Sequence, residues 1–171
     1  MTIHTHTDLI DRLDEVDHSA RIWTYVADAP WSADAQTALL DHMTTFLASW
    51  QAHGRHVRGD VFTIGRFAIV LAARHGADHA EVTGCSIDAS VNTVRRAEAI
   101  AGRRLVGVHG AVRSDAGDLI HVPRSDFATL DPRCHVLRTT ATTAGDLARA
   151  PFQTADAAGL TRLAPSGIPS L

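Results

Sequence analysis

Apolar residues recur along this chain with two periods, one helical and one of strands. Leu9, Ile10, Leu13 and Val16 fall on one face of a short helix that Thr7 is placed to cap. Residues 21–28 read as a strand, with Ile22, Tyr25 and Val26 apolar and Pro30 stopping it. Ser32, followed by Asp34 in the first turn, opens a long helix whose apolar stripe is Leu39, Met43, Phe46, Leu47 and Trp50, and Gly54 ends it. The clearest hairpin comes next: residues 61–64 and 67–72 are apolar, β-branched or aromatic runs separated by Gly65-Arg66, a pair suited to a tight turn.

After a His-rich loop through His75 and His79, Ser86 is placed to cap a second helix carrying Ile87, Val91, Val94 and Ala101, closed by Gly102. Residues 105–112 and 119–122 form a second hairpin across the turn at 114–118. The order strand, helix, strand, strand, helix, strand predicts an α+β fold of the ferredoxin-like α/β sandwich type (βαββαβ), preceded by an N-terminal helix. A short helix at 126–130 and a strand at 134–140 extend it. The expected layout is a single α+β domain over residues 1–150, with its core at about 20–123 and a loosely attached C-terminal tail at 151–171, where Pro165, Gly167 and Pro169 lie.

Composition changes the picture mainly by exclusion. With 171 residues and a net charge of −3, the chain is long enough for one core, and it implies no basic face for duplex nucleic acid. All sixteen basic residues are Arg, so a P-loop lysine, a Schiff-base lysine and a pyridoxal-phosphate anchor are all excluded. No apolar run reaches membrane-spanning length, and the start of the sequence lacks the pattern of a secretory signal. Two distant cysteines, Cys85 and Cys134, offer neither a disulfide framework nor a CxxC pair, so the expected location is cytoplasmic.

The most pointed local feature is Gly84-Cys85-Ser86-Ile87-Asp88, which puts a thiol, a hydroxyl and a carboxylate at a loop-to-helix junction. Unpaired N–H groups at a helix start bind anions and lower a cysteine pKa, and His75 or His79 on the preceding loop is the candidate base for a Cys85 nucleophile. Gly84, Ser86 and Asp88, with Arg66 from the hairpin turn, make the matching ligand set. Each residue also has a purely structural reading: Gly84 permits the turn, Cys85 packs, Ser86 caps and Asp88 answers the macrodipole. That reading carries more weight, because nothing here matches a known cysteine-enzyme signature.

Eleven histidines include the close pairs His4/His6, His53/His56 and His75/His79, with Glu81 near the last, but none forms HExxH and no metal site or other cofactor is expected. Arg95-Arg96 and Arg103-Arg104 suit the negative end of the second helix, and Asp60 and Arg66 are placed to pair across the first hairpin. Trp23, Trp31 and Trp50 read as packing residues, and the strands lack the aromatic spacing of an RNA-recognition motif.

Three segments, RIWTYVAD at 21–28, IGRFAIVL at 64–71 and GCSIDASV at 84–91, resemble a family of small bacterial proteins common in the Bacteroidetes and their relatives, often labelled ABC transporter ATPase. The similarity covers about residues 20–150. It implies no established activity and adds only interest in Cys85, Ser86 and Asp88. The label itself fails on chemistry, since ATP hydrolysis of that kind needs GxxxxGK[ST] and this chain has no lysine. The function expected is a non-enzymatic binding or regulatory module for an unknown protein or small anionic ligand, self-associating as a homodimer through a sheet face or edge. A small cysteine-dependent enzyme is the alternative.

Overall fold

The computed structural model describes residues 2–74 and 80–162; His75, His79 and the residues from 163 onward lie outside the described residues. Strand β1 (Thr2–Ile3) leads into helix α1 (His6–Glu15). The cap of α1 is Thr5 rather than Thr7: its hydroxyl accepts the Asp8 N–H and the Asp8 carboxylate accepts the Thr5 N–H, each at 3.1 Å. A carboxylate three residues past the cap closes that reciprocal box, and Thr7 has no such partner. Leu9, Leu13 and Val16 are buried as the period predicts.

Strand β2 (Arg21–Val26) is followed by helix α2 (Ala33–Ser49), where Ser32 accepts the Ala35 N–H at 3.1 Å as its cap. A two-residue hairpin of β3 (Gln51–Ala52) and β4 (Arg55–His56) turns on His53 and Gly54, both with positive φ, where the sequence reading has only a helix stop. Strands β5 (Gly59–Ile64) and β6 (Ala68–Ala73) form the predicted hairpin on Gly65. Helix α3 (Gly84–Ala101) ends on Gly102 in the left-handed conformation, as expected.

The second hairpin is β7 (Gly110–Asp115) and β8 (Asp118–Pro123), turning on Ala116-Gly117 with both residues at positive φ. Residues 105–109 stay outside the strand. A 3-10 helix (Arg124–Thr129), strand β9 (His135–Leu137) and helix α4 (Ala144–Arg149) follow, then strand β10 (Phe152–Thr154). Within the stretch expected as a loose tail, β10 pairs antiparallel with β9, and Ala155 and Leu160 are buried.

The chain is therefore a mixed α+β fold, but its described strands divide between two four-stranded sheets, ordered β1-β5-β6-β2 and β10-β9-β7-β8, and the small β3-β4 hairpin. The first sheet holds β2, β6 and β5 as neighbouring antiparallel strands, but the βαββαβ sandwich expected from the element order is not completed. The fourth expected strand, β7, does not join it. Two other segments take the outer edge of β2, as set out below, and β7 pairs with β8 and β9 instead.

Period-two alternation gives the first sheet two buried faces. Ile22, Val26, Phe62, Ile64, Val70 and Ala72 face α1, α4 and the second sheet, meeting Leu9, Leu13, Val112, Leu119 and Leu137. Ile69, Leu71 and Ala73 face α2 and α3, meeting Leu39, Met43, Trp31, Trp50, Val94 and Ala97. Every residue of β6 is buried, which explains its unbroken apolar run: the strand is central and covered on both sides. Asp60 holds the rim of this sandwich. It pairs with Arg74, at 2.8 and 3.1 Å, and with Arg12 at 3.7 Å, so the expected pairing with Arg66 is replaced. Asp60 lies opposite Ala72 near the open end of the hairpin, two positions short of Arg74, whereas Arg66 sits in the turn at the other end.

Candidate functional site

Cys85 is in the first turn of α3 and exposed, so the junction at 84–88 is the opening of a helix, as expected. The helix begins earlier than the sequence suggests, with Thr83 as the cap and Ser86 three residues inside. Ser86 is buried and its hydroxyl is used locally: it accepts the Thr83 N–H at 2.8 Å and donates to the Thr83 carbonyl at 2.9 Å. Its carbonyl accepts the Trp50 indole N–H at 3.0 Å, which ties this end of α3 to the end of α2. Asp88 is exposed in the second turn, and no hydrogen bond or ion pair from the described residues reaches the side chain of Cys85 or Asp88. Gly84 has nothing within 4 Å of a Cβ, so neither a close approach nor a positive φ requires glycine there.

Arg66 does not belong to this neighbourhood. Its backbone carbonyl accepts the Trp31 N–H at 2.8 Å, and the adjoining Pro30 carbonyl accepts from Arg103 at 3.0 Å, just past the other end of α3. An 18-residue helix is about 27 Å long, so Arg66 and Cys85 lie at opposite ends of it. The candidate bases His75 and His79 lie outside the described residues. Among the described residues, no group of three or more His, Cys, Asp or Glu side chains is arranged to hold a metal. Cys134 is partly buried, and burial raises its thiol pKa above the ordinary value.

A different place gathers unused hydrogen-bonding groups, and it is set by the edge of β2. In an antiparallel ladder alternate residues turn their N–H and C=O away from the partner strand. The Ile22 N–H donates to the Thr142 carbonyl at 3.0 Å, and the Ala144 N–H to the Ala20 carbonyl at 2.9 Å, so even-numbered residues here face away from β6. Farther along, the Asp28 N–H donates to the Arg104 carbonyl at 3.2 Å. Both ends of the β2 edge are therefore covered. Between them Thr24 and Val26 turn their backbone groups outward and meet no cross-edge partner among the described residues.

This window opens on a groove. Thr24, Val26, Gly107, Val108, Gly110 and Thr139 line a recess of about 40 Å3 beside the strand. Val108, Gly110 and Thr139 also border a more enclosed cavity of about 120 Å3, lined further by Leu137, Thr140, Gln153, Ala158 and Leu160. The Thr24 hydroxyl is buried there without a hydrogen-bond partner. Thr139, Thr140 and Gln153 bring side-chain donors and acceptors that no described residue satisfies, and no lining residue of either recess is charged. Val108 remains half-exposed at the mouth.

Gly110 makes the close approach possible. A Cβ at that position would lie 2.4 Å from the Ala27 carbonyl oxygen, 2.8 Å from His121 Nε2 and 3.1 Å from Val26 Cγ1. His121 in turn bonds the Ala27 carbonyl at 2.9 Å and stacks on Phe67, fastening the second sheet across the end of β2. A larger cleft of about 420 Å3 lies between α1 and α4, bordered by Asp14, His18, Asp146 and Arg149, but it is shallow and open. Sequence reasoning missed the β2 window because its limits are backbone contacts from residues 104 and 142, more than seventy positions away. Gly107-Val-His-Gly110, two glycines around an exposed valine, was the one local signal available.

No helix among the described residues is long and apolar enough to cross a membrane. Comparison with family models, with curated proteins and with solved structures found no match to this chain.

Proposed function

We propose that the chain is a non-enzymatic binding module that takes a short, uncharged, extended peptide segment at the β2 window. The observation that carries this reading is the bounded gap at Thr24 and Val26, whose outward backbone groups face an apolar cavity instead of another strand. Strand addition uses such groups for affinity and an adjoining pocket for side-chain choice. The cavity supports a single aliphatic side chain: at about 120 Å3 it is smaller than an engineered cavity of about 150 Å3 that holds benzene, and well below a drug-sized site of at least about 300 Å3.

Charge narrows the ligand further. The recesses are lined by threonines, a glutamine and aliphatic residues, which favours a neutral guest over the small anionic ligand expected from the helix start. Self-association through the same edge is disfavoured by shape, because the sheet edge of a second copy would collide with the segments at 104 and 142 that cover both ends. The antiparallel run β2-β6-β5, with α2 connecting its outer strands, is the part that supports a ferredoxin-like relationship; two of the three segments that resemble the Bacteroidetes family, 21–28 and 64–71, lie in or beside it, and the third, 84–91, opens α3.

Burying one aliphatic side chain contributes about 2–3 kcal/mol, so a short blocked peptide is expected to bind in the millimolar range. Titrating acetyl-Ala-Ile-Ala-amide into 15N-labelled protein is expected to move the amides of Thr24, Val26, Val108, Thr139 and Gln153. Acetyl-Ala-Asp-Ala-amide is expected not to move them, and Val108→Arg, at a half-exposed position, is expected to abolish the response while leaving the fold intact. Equal shifts with both peptides, or shifts confined to the surroundings of Cys85, would remove this reading.

A further inference from the structure

We infer that Glu98 holds the β2 window open against the chain's own segment 104–108, which would otherwise close it by adding to β2 as an antiparallel strand. The inference rests on the preceding reading and names a regulation of the same site: guest and segment compete for the backbone groups of Val26.

The register sets up that competition. The Asp28 N–H donates to the Arg104 carbonyl at 3.2 Å, which puts residue 104 beside residue 28 on the outward edge of β2. Gly107 and Val108 line the recess with Val26 and Thr24, so the segment runs opposite to the strand. In an antiparallel ladder hydrogen-bonded pairs recur at every second residue. After 28 and 104 the next pair is Val26 with Val106, and each would give its N–H to the other's carbonyl.

Neither bond forms, because side chains take both backbone groups of Val106. Glu98 Oε1 accepts the Val106 N–H at 2.8 Å and the Leu105 N–H at 2.7 Å, and His109 Nε2 donates to the Val106 carbonyl at 3.1 Å. The preceding pair is altered in the same way: the Arg104 N–H, which a ladder would send to the Asp28 carbonyl, goes to Asp28 Oδ1 at 3.2 Å. Gly107 then turns the segment aside at a φ of +126°, and the Val108 carbonyl accepts from Arg124 at 2.8 Å.

Hydrogen bonds to a carboxylate are about twice as strong as those between neutral groups, so the two bonds at Glu98 favour the diverted arrangement over the ladder. Glu98 touches no guest in this scheme. It is a positioning residue that acts through the groove wall.

Amide hydrogen exchange in the full chain tests the inference without added ligand. Removing a side chain that bonds the backbone ordinarily speeds exchange nearby. Here Glu98→Ala is expected to slow the Val26 amide by about tenfold, the effect of one backbone hydrogen bond gained, while β6 amides keep their rates. Glu98→Gln keeps an acceptor oxygen in place and is expected to exchange like the wild type. His109→Ala, which frees only the Val106 carbonyl, is expected to slow Val26 by a smaller factor, and it carries the test if Glu98→Ala speeds β6 exchange. At unchanged β6 rates, Val26 exchange as fast as in the wild type would overturn the inference, and so would equal slowing in Glu98→Gln and Glu98→Ala. Titrating the same chains with acetyl-Ala-Ile-Ala-amide separates this failure from that of the preceding reading. Weaker binding to Glu98→Ala than to the wild type and Glu98→Gln supports both. Slowed Val26 exchange with no peptide binding to any chain keeps the closing segment and sinks peptide recognition. Peptide binding with unslowed Val26 exchange sinks the closing segment alone.

Discussion

Gly110→Ala tests the geometry on which the groove depends. The added methyl would stand 2.4 Å from the Ala27 carbonyl oxygen and 2.8 Å from His121 Nε2, and neither atom is the free end of a flexible side chain. Carbonyl and imidazole are bonded to each other at 2.9 Å, so relieving the clash requires parting them or moving β7 away from β2. Overpacking of this kind costs about 1–3 kcal/mol, and losing the imidazole hydrogen bond adds about 1 kcal/mol, which gives an expected destabilisation of about 2–4 kcal/mol. With a urea m-value of about 2 kcal/mol/M, the unfolding midpoint falls by about 1–2 M. Gly84→Ala is the matched control, because nothing lies within 4 Å of its Cβ and the residue is helical; it is expected to be neutral or to stabilise by up to about 1 kcal/mol. The assay is equilibrium urea unfolding followed by tryptophan fluorescence and far-ultraviolet circular dichroism in parallel. Equal midpoints for the two variants would refute the close passage of β7 over the end of β2 and, with it, the shape of the groove.

Two further outcomes follow from the titrating groups. The exposed thiol of Cys85 is expected to alkylate ahead of Cys134, whose partly buried thiol is pushed to a higher pKa by desolvation, so mass spectrometry of briefly labelled native protein at pH 8 should find the label on Cys85; first labelling at Cys134 would contradict the partial burial of that thiol. Asp8 is held below the ordinary aspartate pKa first by its bond to the Thr5 hydroxyl and then by the Thr5 N–H. Because the folded pKa is the lower one, this cap contributes stability above the unfolded pKa and loses it as pH falls through the folded value. Thr5→Ala should therefore raise the Asp8 midpoint in an NMR titration and shrink the stability difference between variant and wild type in acid; an unmoved midpoint would contradict the capping box.

Local signals in the sequence were enough for most individual elements. Gly65 marked a hairpin turn, Gly102 a helix stop and Ser32 a helix start, because in each case a single residue's backbone preference or side-chain oxygen decides the structure. The caps of α1 and α3 were misplaced for a related reason. Runs such as Thr5-His-Thr7 and Thr83-Gly-Cys-Ser86 offer two candidate caps, and the helix starts at the one whose backbone N–H is accepted by the side chain three residues on, Asp8 in α1 and Ser86 in α3. Helix α4 and strand β10 were missed because six and three residues carry no readable period. Their apolar members, Leu147 and Phe152, become legible only against α1 and the first-sheet core. The two-sheet arrangement was illegible for a stronger reason: β7 has a respectable strand pattern, and that pattern says nothing about which edge the strand will join.

The fate of the remaining edges supports reading the β2 window as a site. An open strand edge invites unwanted pairing, and folded chains usually cover, shorten or interrupt it. Here β1 adds in parallel to β5, the His4 carbonyl accepts the Leu119 N–H and the His6 N–H donates to the Gly117 carbonyl beside β8, and Pro123 ends that strand without a donor. Even β2 is covered at Ile22 and at Asp28. The gap between those two points holds a buried hydroxyl with no partner, Thr24 Oγ1, in a wall that Val26, Val108, Thr139 and two glycines complete. Leaving such a group unpaired is unfavourable by about 1–3 kcal/mol, and Thr24→Val removes that penalty at nearly constant shape. If the threonine serves only the fold, the valine variant should be more stable and otherwise unchanged. If the hydroxyl is there for a guest strand, the same substitution should stabilise the free module and weaken its hold on acetyl-Ala-Ile-Ala-amide, two effects of opposite sign from one oxygen atom.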